Sequence, residues 1–317
     1  MARSSAWSLP LFSWLTLILP PLFWAGNFVV GRAVRHDLTP MTLSFWRWVI
    51  ALICLLPFSF WAMRRDWRRY WELRWQVLRV SVVGVAAFNS LIYLGLRTTT
   101  ANNALLLNSL IPLLIVMLGA CFYRQRLRMS QYVGLILSFA GVLTLVMHGN
   151  WSQWQALVFV PGDAIVLAAM VCWALYTLWL RQLPGDLERI GLMGIQIALA
   201  LVMLLPFYIA EYSSGQRATW GVASLSALLY VGIFPSVIAY LLYTQAISRF
   251  GPARAGLTIH LIPVFGVVLA ALFLGERLHA YHAAGIAAIV AGLICSNMRS
   301  KQEQSDASPK VKVQSKR

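Results

Sequence analysis

Apolar stretches of about 20 residues recur along this chain, and they constrain its fold more than any other feature. A helix of about that length crosses the ~30 Å hydrocarbon core of a bilayer at ~1.5 Å per residue. The 317 residues are 60% hydrophobic and 11% charged, with a mean hydropathy of +0.70. One soluble core could not bury so much apolar surface, so the sequence predicts an all-α membrane protein with ten transmembrane helices.

The basic residues predict how these helices are oriented. Twenty Lys and Arg fall on the face that carries both termini, against five on the other face, and Arg47 lies inside a span. Because cytoplasmic loops are enriched in Lys and Arg, both termini are expected in the cytoplasm. The net charge of +16 could suggest nucleic-acid binding, but these residues occupy short loops between apolar stretches. No nucleic-acid partner is therefore expected.

An internal repeat relates the two halves of the chain. Trp24-Ala25 matches Trp173-Ala174 at an offset of 149, and Leu110-Ile111-Pro112 matches Leu261-Ile262-Pro263 at an offset of 151. The second offset continues to the pairs Gly134 and Gly285, and Gly141 and Gly292. Agreement at several places in one frame indicates a duplicated unit.

The repeat predicts two inverted halves. Five spans per half is an odd number, so the second half must enter the membrane from the opposite side, which creates a pseudo-two-fold axis in the membrane plane. The predicted organisation is an N-terminus (1–12), a first repeat (13–147), a linker (148–161), a second repeat (162–297) and a disordered basic tail (298–317). Such symmetry favours a transporter, although duplication can also be purely structural.

Two prolines at equivalent positions predict interruptions in the fourth and ninth spans. Pro112 and Pro263 each remove one helical hydrogen bond, which frees the carbonyl groups of Asn108 and Ile259. In a membrane such groups persist only where protein or a water-filled cavity meets them. We therefore expect these helices to line a pathway and to act as hinges; a packing kink is the alternative.

Polar and aromatic side chains within the spans are the candidate substrate-binding residues, because they are costly in lipid unless they face the interior. Together they predict a cavity with aromatic walls, suited to a small zwitterion or an aromatic compound. For any single Asn or Tyr, a helix–helix hydrogen bond is the more frequent explanation, and the set as a whole carries the prediction. The candidates are Trp24, Asn27, Asn89, Tyr93, Asn108, Trp173, Tyr176, Tyr240, Tyr243 and His260.

Charged groups within the spans are few. Arg47 could contact a substrate carboxylate, or it could extend to the surface or bond backbone carbonyls. All ten acidic residues fall in loops, in the tail or at span ends, so no buried carboxylate is expected to carry a proton or sodium ion. His260 is the remaining mid-membrane candidate for proton coupling, but a structural histidine is the favoured interpretation. Facilitated diffusion or exchange is therefore favoured.

Motifs of enzymes and of metal sites are missing from the sequence. It contains no G-x-x-x-x-G-K-[ST] loop for ATP, no H-E-x-x-H and no G-x-S-x-G. The four cysteines lie in apolar stretches without C-x-x-C spacing. No enzymatic activity, metal or cofactor is expected, and an intramembrane enzyme would need a catalytic pair that the sequence does not display.

Four sequence features together resemble one known family. They are the repeated Trp-Ala, the two L-I-P motifs, Gly275-Glu276-Arg277-Leu278, and the Ala-Gly endings at Ala140 and Ala291. The family that they resemble is the EamA-type branch of the drug/metabolite transporter superfamily. The resemblance covers about residues 13 to 297. It implies two inverted five-helix repeats, a central cavity lined by the third, fourth, eighth and ninth spans, and location in the bacterial inner membrane. One departure is Gln125, where the family often carries Glu.

The leading hypothesis is a secondary transporter of small metabolites that works by alternating access without ATP hydrolysis, and the resemblance implies an exporter. Amino acids are the expected substrates, with aromatic ones favoured by the Trp and Tyr content. A lipid-linked sugar flippase, or a subunit of one, is the alternative from another class. The expected partners are the substrate and the lipid bilayer, and the expected state is a monomer or weak homodimer.

Overall fold

The computed structural model describes residues 11–95, 98–99, 101–125, 127–150, 152, 160–275 and 277–297. Within these residues every regular element is helical. The predicted tail and most of the predicted N-terminus and linker lie outside the described residues. The α-helices are α1 Leu11–Ala33, α2 Pro40–Arg65, α3 Trp67–Glu72, α4 Arg74–Ser81, α5 Phe88–Gly95, α6 Ala101–Asn108, α7 Ile111–Tyr123, α8 Met129–Val146, α9 Pro161–Gln182, α10 Arg189–Ser213, α11 Val222–Ile233, α12 Ala239–Phe250, α13 Pro252–Leu257, α14 Leu261–Leu274 and α15 Ala280–Asn297.

These helices form ten spans. Spans 1, 2, 5, 6, 7 and 10 are single helices, namely α1, α2, α8, α9, α10 and α15, and the short α3 lies between spans 2 and 3. Spans 3, 4, 8 and 9 are each built from two helices, α4–α5, α6–α7, α11–α12 and α13–α14. In the described part of the chain, nine spans are at least 18 residues long and apolar enough to cross a membrane. The tenth, α15, is a shorter apolar helix, and the predicted fold class is confirmed.

Four spans are interrupted, and they are equivalent in pairs under the repeat: span 3 with span 8, and span 4 with span 9. π-helical segments occupy Val82–Ala87 in span 3 and Phe234–Ile238 in span 8. Span 4 breaks at residues 109–110, and span 9 passes through a 3-10 turn at Thr258–His260. Local departures from α-helical hydrogen bonding such as these often mark functional segments.

Glycines at equivalent positions bring spans 5 and 10 into close contact. A Cβ built on Gly134 would lie 2.4 Å from the carbonyl oxygen of Gly292, and one built on Gly141 would lie 2.7 Å from that of Gly285. The two contacts exchange under the two-fold operation, because Gly134 corresponds to Gly285 and Gly141 to Gly292. Small residues let membrane helices approach this closely, and the pairing places the pseudo-two-fold axis between spans 5 and 10.

An even number of spans brings the start of α1 and the end of α15 to one face of the molecule, here called the terminal face. The opposite side is the far face. Spans 1 and 6, which are equivalent, lie between the other elements: span 1 contacts spans 8 and 9, and span 6 contacts spans 3 and 4. The centre of the molecule is therefore built around spans 1 and 6.

Candidate functional site

Two tryptophans at equivalent positions meet at the centre of the molecule. The rings of Trp24 in span 1 and Trp173 in span 6 lie edge to face, with centroids 5.3 Å apart. Each is near the middle of its helix, so the contact lies near mid-membrane depth. Two positions related by the repeat can touch only near the symmetry axis. The Trp24–Trp173 contact therefore marks the interface of the two halves.

Tyrosines from span 8 and span 6 complete this aromatic cluster. Tyr243 lies 5.3 Å from Trp24 and Tyr240 lies 5.4 Å from Trp173, measured between ring centroids, and Tyr176 packs 5.4 Å from Trp173. The three tyrosines and Trp173 are all buried. The sequence predicts a cavity with aromatic walls at these residues, and in this conformation their rings are in contact with one another.

A polar pair formed by Asn27 and Arg47 lies one helical turn from Trp24, toward the far face. Nη1 of Arg47 donates to Oδ1 of Asn27 at 3.5 Å, and the guanidinium lies 4.9 Å from the ring centroid of Trp48. The Arg47 side chain does not extend to the surface, since Arg47 is only 6% exposed. Its Nε has no hydrogen-bond partner among the described residues.

A second polar pair, Tyr176 and Gln196, occupies the equivalent place in the other half. The hydroxyl of Tyr176 donates to Oε1 of Gln196 at 3.4 Å. Tyr176 corresponds to Asn27 and Gln196 to Arg47 at the same offset of 149. Gln196 is not among the candidates predicted from the sequence, although the offset of 149 from Arg47 leads to it.

The indole N–H groups of the two central tryptophans are bonded differently. Nε1 of Trp24 donates to the carbonyl oxygen of Pro235, in the π-helical segment of span 8, at 3.1 Å. The equivalent acceptor for Trp173 would be Gly84, in the π-helical segment of span 3. Nε1 of Trp173 has no partner with hydrogen-bond geometry in the described structure, although the Tyr243 ring lies beside the indole. The two halves therefore differ at their centre.

His260 lies apart from the aromatic cluster, between spans 4, 5 and 9. Its Nε2 donates to the carbonyl oxygen of Ser109 at 3.0 Å, and its Nδ1 lies 2.7 Å from the hydroxyl of Ser138. Both ring nitrogens thus have protein partners. In this conformation His260 links the two halves, in keeping with the structural interpretation that the sequence favours.

The remaining polar candidates lie on spans 3 and 4. Nδ2 of Asn89 donates to the carbonyl oxygen of Val85 in its own span, at 2.6 Å. Asn108 is partly exposed at the end of α6. Tyr93 lies on α5, but its side chain is outside the described part of the structure. Asn89 therefore supplies a local hydrogen bond in this conformation.

Pro112 and Pro263 both lie in the first turn of the helix that follows an interruption. Pro112 is the second residue of α7 and Pro263 the third residue of α14. The freed carbonyl was predicted at Asn108; the structure shows the next carbonyl, that of Ser109, bonded by His260. The prolines are placed where hinges are expected, and their role in motion stays a prediction.

Two carboxylates are buried near the far face, which corrects the expectation that none would be. Asp163, 2% exposed, accepts hydrogen bonds from Asn103 and from the backbone N–H of Val160, at 3.0 and 2.9 Å. Glu211, 9% exposed, accepts from the backbone N–H groups of Met41 and Thr42, each at 3.1 Å. Glu211 thus caps the N-terminus of α2 from span 7. Both residues lie at span ends, where the sequence pattern predicts a carboxylate in contact with water.

A cleft of about 350 Å³ opens on the terminal face. Two arginines and two glutamines contribute to its wall, together with apolar side chains. It lies at the ends of spans 4, 6 and 8 and at the starts of spans 5 and 9. Its lining residues are Gln125, Leu127, Gln131, Arg181, Phe250, Gly251, Pro252, Ala253 and Arg254.

Both halves of the chain match the same family of known proteins. Residues 11–147 and 160–298 each match the EamA-like transporter family. An uncharacterized transporter of Archaeoglobus fulgidus is 26% identical over 289 residues, which cover 91% of this chain and 98% of that protein. A protein of Escherichia coli named "Probable amino-acid metabolite efflux pump" is 25% identical over 283 residues, covering 87% of this chain and 91% of that protein.

The fold also matches a solved crystal structure. The superposition has a TM-score of 0.70 and covers 93% of this chain and 97% of the other, with 20% sequence identity. At that identity the likeness shows the shared fold. It agrees with the arrangement of ten spans described above.

Proposed function

Because the chain belongs to the EamA-like transporter family, we propose that it is a secondary transporter that exports small metabolites by alternating access, without ATP hydrolysis. The observation that carries this proposal is the different bonding of Trp24 and Trp173, whose positions are equivalent. When two inverted halves exchange their conformations, the pathway closes on one face of the membrane and opens on the other. Such an exchange requires that the halves differ in any one state, as they do here.

The two π-helical segments supply the parts that would exchange. In this conformation Trp24 bonds the carbonyl of Pro235 in span 8, and the equivalent bond from Trp173 to Gly84 is not made. In the opposite conformation Trp173 bonds Gly84 and Trp24 releases Pro235. Departures from α-helical bonding leave carbonyls that can accept such bonds, which a regular helix would not offer.

Amino acids are the proposed substrates, and aromatic ones the favoured members. Relatives of this chain in Escherichia coli and Salmonella typhimurium are named probable amino-acid metabolite efflux pumps. The cluster around Trp24 and Trp173 offers ring faces and edges to an aromatic side chain. Arg47, on span 2, is buried near that cluster. Its guanidinium is suited to bind the carboxylate of an amino acid.

We place the terminal face in the cytoplasm and the protein in the bacterial inner membrane. The excess of Lys and Arg on that face supports this orientation. The far face, with the buried Asp163 and Glu211, then faces outward. In this orientation the cleft at Arg181 and Arg254 opens to the cytoplasm, from which an exporter takes its substrate.

Uptake of each of the twenty amino acids into proteoliposomes tests the proposal. The wild-type protein is expected to move one or more aromatic amino acids faster than protein-free liposomes do. Tyr243→Ala is expected to abolish this uptake, because it removes a ring of the central cluster, and Tyr243→Phe to retain part of it. If no amino acid enters faster than in protein-free liposomes, the substrate class is wrong.

A further inference from the structure

The two polar pairs lie on opposite sides of the Trp24–Trp173 contact. The first-half pair is Asn27 and Arg47, and the second-half pair is Tyr176 and Gln196. Arg47 is the eighth residue of α2, which starts at the far face, and Gln196 is the eighth of α10, which starts at the terminal face. At 1.5 Å per residue, each lies about 10 Å inside its own face.

Each pair includes a buried N–H donor that nothing in the described structure satisfies. Nε of Arg47 and Nε2 of Gln196 have no hydrogen-bond partner there, and neither does Nε1 of Trp48, which stacks beside Arg47. Gln196 is 1% exposed and Trp48 is fully buried. An unsatisfied buried donor costs about 1–3 kcal/mol, and more when it is charged. Unpaired groups of this kind at two symmetric places indicate a ligand that supplies acceptors.

The charge of the two pairs differs although their geometry is the same. Arg47 carries a permanent positive charge and makes no ion pair with a carboxylate among the described residues. Its counterpart Gln196 is neutral. A buried cation without a counter-ion is expensive in a membrane protein, and a substrate carboxylate would supply the missing charge through a charge-assisted hydrogen bond.

We infer that the protein has two successive carboxylate-binding sites, a neutral one at Tyr176 and Gln196 and a cationic one at Asn27, Arg47 and Trp48. This inference rests on the proposed function and specifies its substrate as a carboxylate-bearing metabolite. The carboxylate first accepts hydrogen bonds at the second-half pair, near the terminal face. After the aromatic cluster opens, it binds the guanidinium of the first-half pair, nearer the far face.

Affinity measured separately from each face tests the two sites. Right-side-out and inside-out membrane vesicles expose opposite faces, and radiolabelled phenylalanine is the probe. Arg47→Gln is expected to raise the half-saturating concentration on the far face by roughly tenfold or more, the value of a lost charge-assisted bond, with little change on the terminal face. Gln196→Leu is expected to do the reverse.

Phenylalaninamide provides a second readout, because it keeps the ring and lacks the negative charge. On the far face, the wild-type protein is expected to prefer phenylalanine over the amide, and Arg47→Gln to lose that preference. Gln245→Leu, which removes an amide from span 8 outside both pairs, is the matched control and is expected to behave as wild type.

The outcomes distinguish failure of the two sites from failure of the proposed function. If the wild-type protein transports no phenylalanine, the aromatic amino-acid function is rejected and the two sites with it. If the wild-type protein transports phenylalanine but Arg47→Gln and Gln196→Leu each change both faces equally, or neither, the two sites are rejected and the proposed function stands. Unchanged preference over the amide in Arg47→Gln would likewise reject the cationic site.

Discussion

Nε2 of His260 donates a hydrogen bond to the carbonyl oxygen of Ser109, 3.0 Å away, and these two residues hold the same position in the two repeats. Each lies three residues before the proline of its L-I-P motif. The side chain of one half thus satisfies the backbone of the other, at the point where span 4 is interrupted. This link and the Trp24–Trp173 contact both lie where the halves meet.

A pH gradient is not expected to drive transport, because both nitrogens of His260 are occupied by protein partners in the structure. Phenylalanine uptake into proteoliposomes should proceed at the same rate with and without an imposed gradient. His260→Ala is expected to lower stability by about 1–3 kcal/mol through the unsatisfied carbonyl of Ser109. Gradient-driven accumulation that disappears in His260→Ala would show instead that this residue carries the proton.

The glycine contacts between spans 5 and 10 are expected to be sensitive to a single methyl group. Gly134→Ala places a Cβ 2.4 Å from a backbone oxygen, and overpacking of this kind costs about 1–3 kcal/mol. Thermal unfolding in detergent measures the loss. Gly266→Ala, on α14 with nothing within 4 Å of the added Cβ, is the matched control. Equal melting temperatures for the two variants would contradict the close packing.

Removing one indole N–H should loosen only one π-helical segment. Trp24→Phe keeps an aromatic ring but leaves the carbonyl of Pro235 without its donor, so amide hydrogen exchange is expected to rise in residues 234–238. In the described structure the indole N–H of Trp173 bonds no carbonyl of the π-helical segment Val82–Ala87, so Trp173→Phe should leave exchange in residues 82–87 unchanged. Equal changes in the two segments would show that the halves do not differ as described.

Glu211 is expected to contribute to stability as the cap of α2. Glu211→Gln removes the negative charge that accepts hydrogen bonds from two backbone N–H groups at the N-terminus of α2. The free energy of unfolding is expected to fall by about 1–2 kcal/mol. Glu72→Gln, an exposed partner of Arg69, is the control and should change stability by less than about 1 kcal/mol. Identical unfolding curves for the two variants would exclude the capping role.

The sequence predicted the spans and the repeat because lipid imposes a simple length and composition rule on helices. It also predicted Trp24, Trp173, Tyr240 and Tyr243 as substrate-binding candidates, because their polar N–H and O–H groups are costly in lipid. It could not separate Asn89, which bonds its own helix, from residues that face the centre. That distinction depends on side-chain direction, which the π-helical turn at Val82–Ala87 changes without a clear sequence signal.

The buried acids show a different limit of sequence reasoning. Asp163 and Glu211 lie at span ends, where water usually solvates a carboxylate, but partners from distant segments bury them. Thr39, Met41 and Thr42 are about 170 positions from Glu211 in the chain, and no local pattern predicts their approach. Tertiary contacts of this range are visible only in the folded structure.

Counterflow of phenylalanine tests alternating access most directly. Proteoliposomes loaded with unlabelled phenylalanine are diluted into a trace of the labelled amino acid, and internal label is followed with time. A carrier that exposes its site to one face at a time is expected to give a transient accumulation above the final level. Label that rises smoothly to equilibrium without this overshoot, or that does not enter at all, would contradict the account.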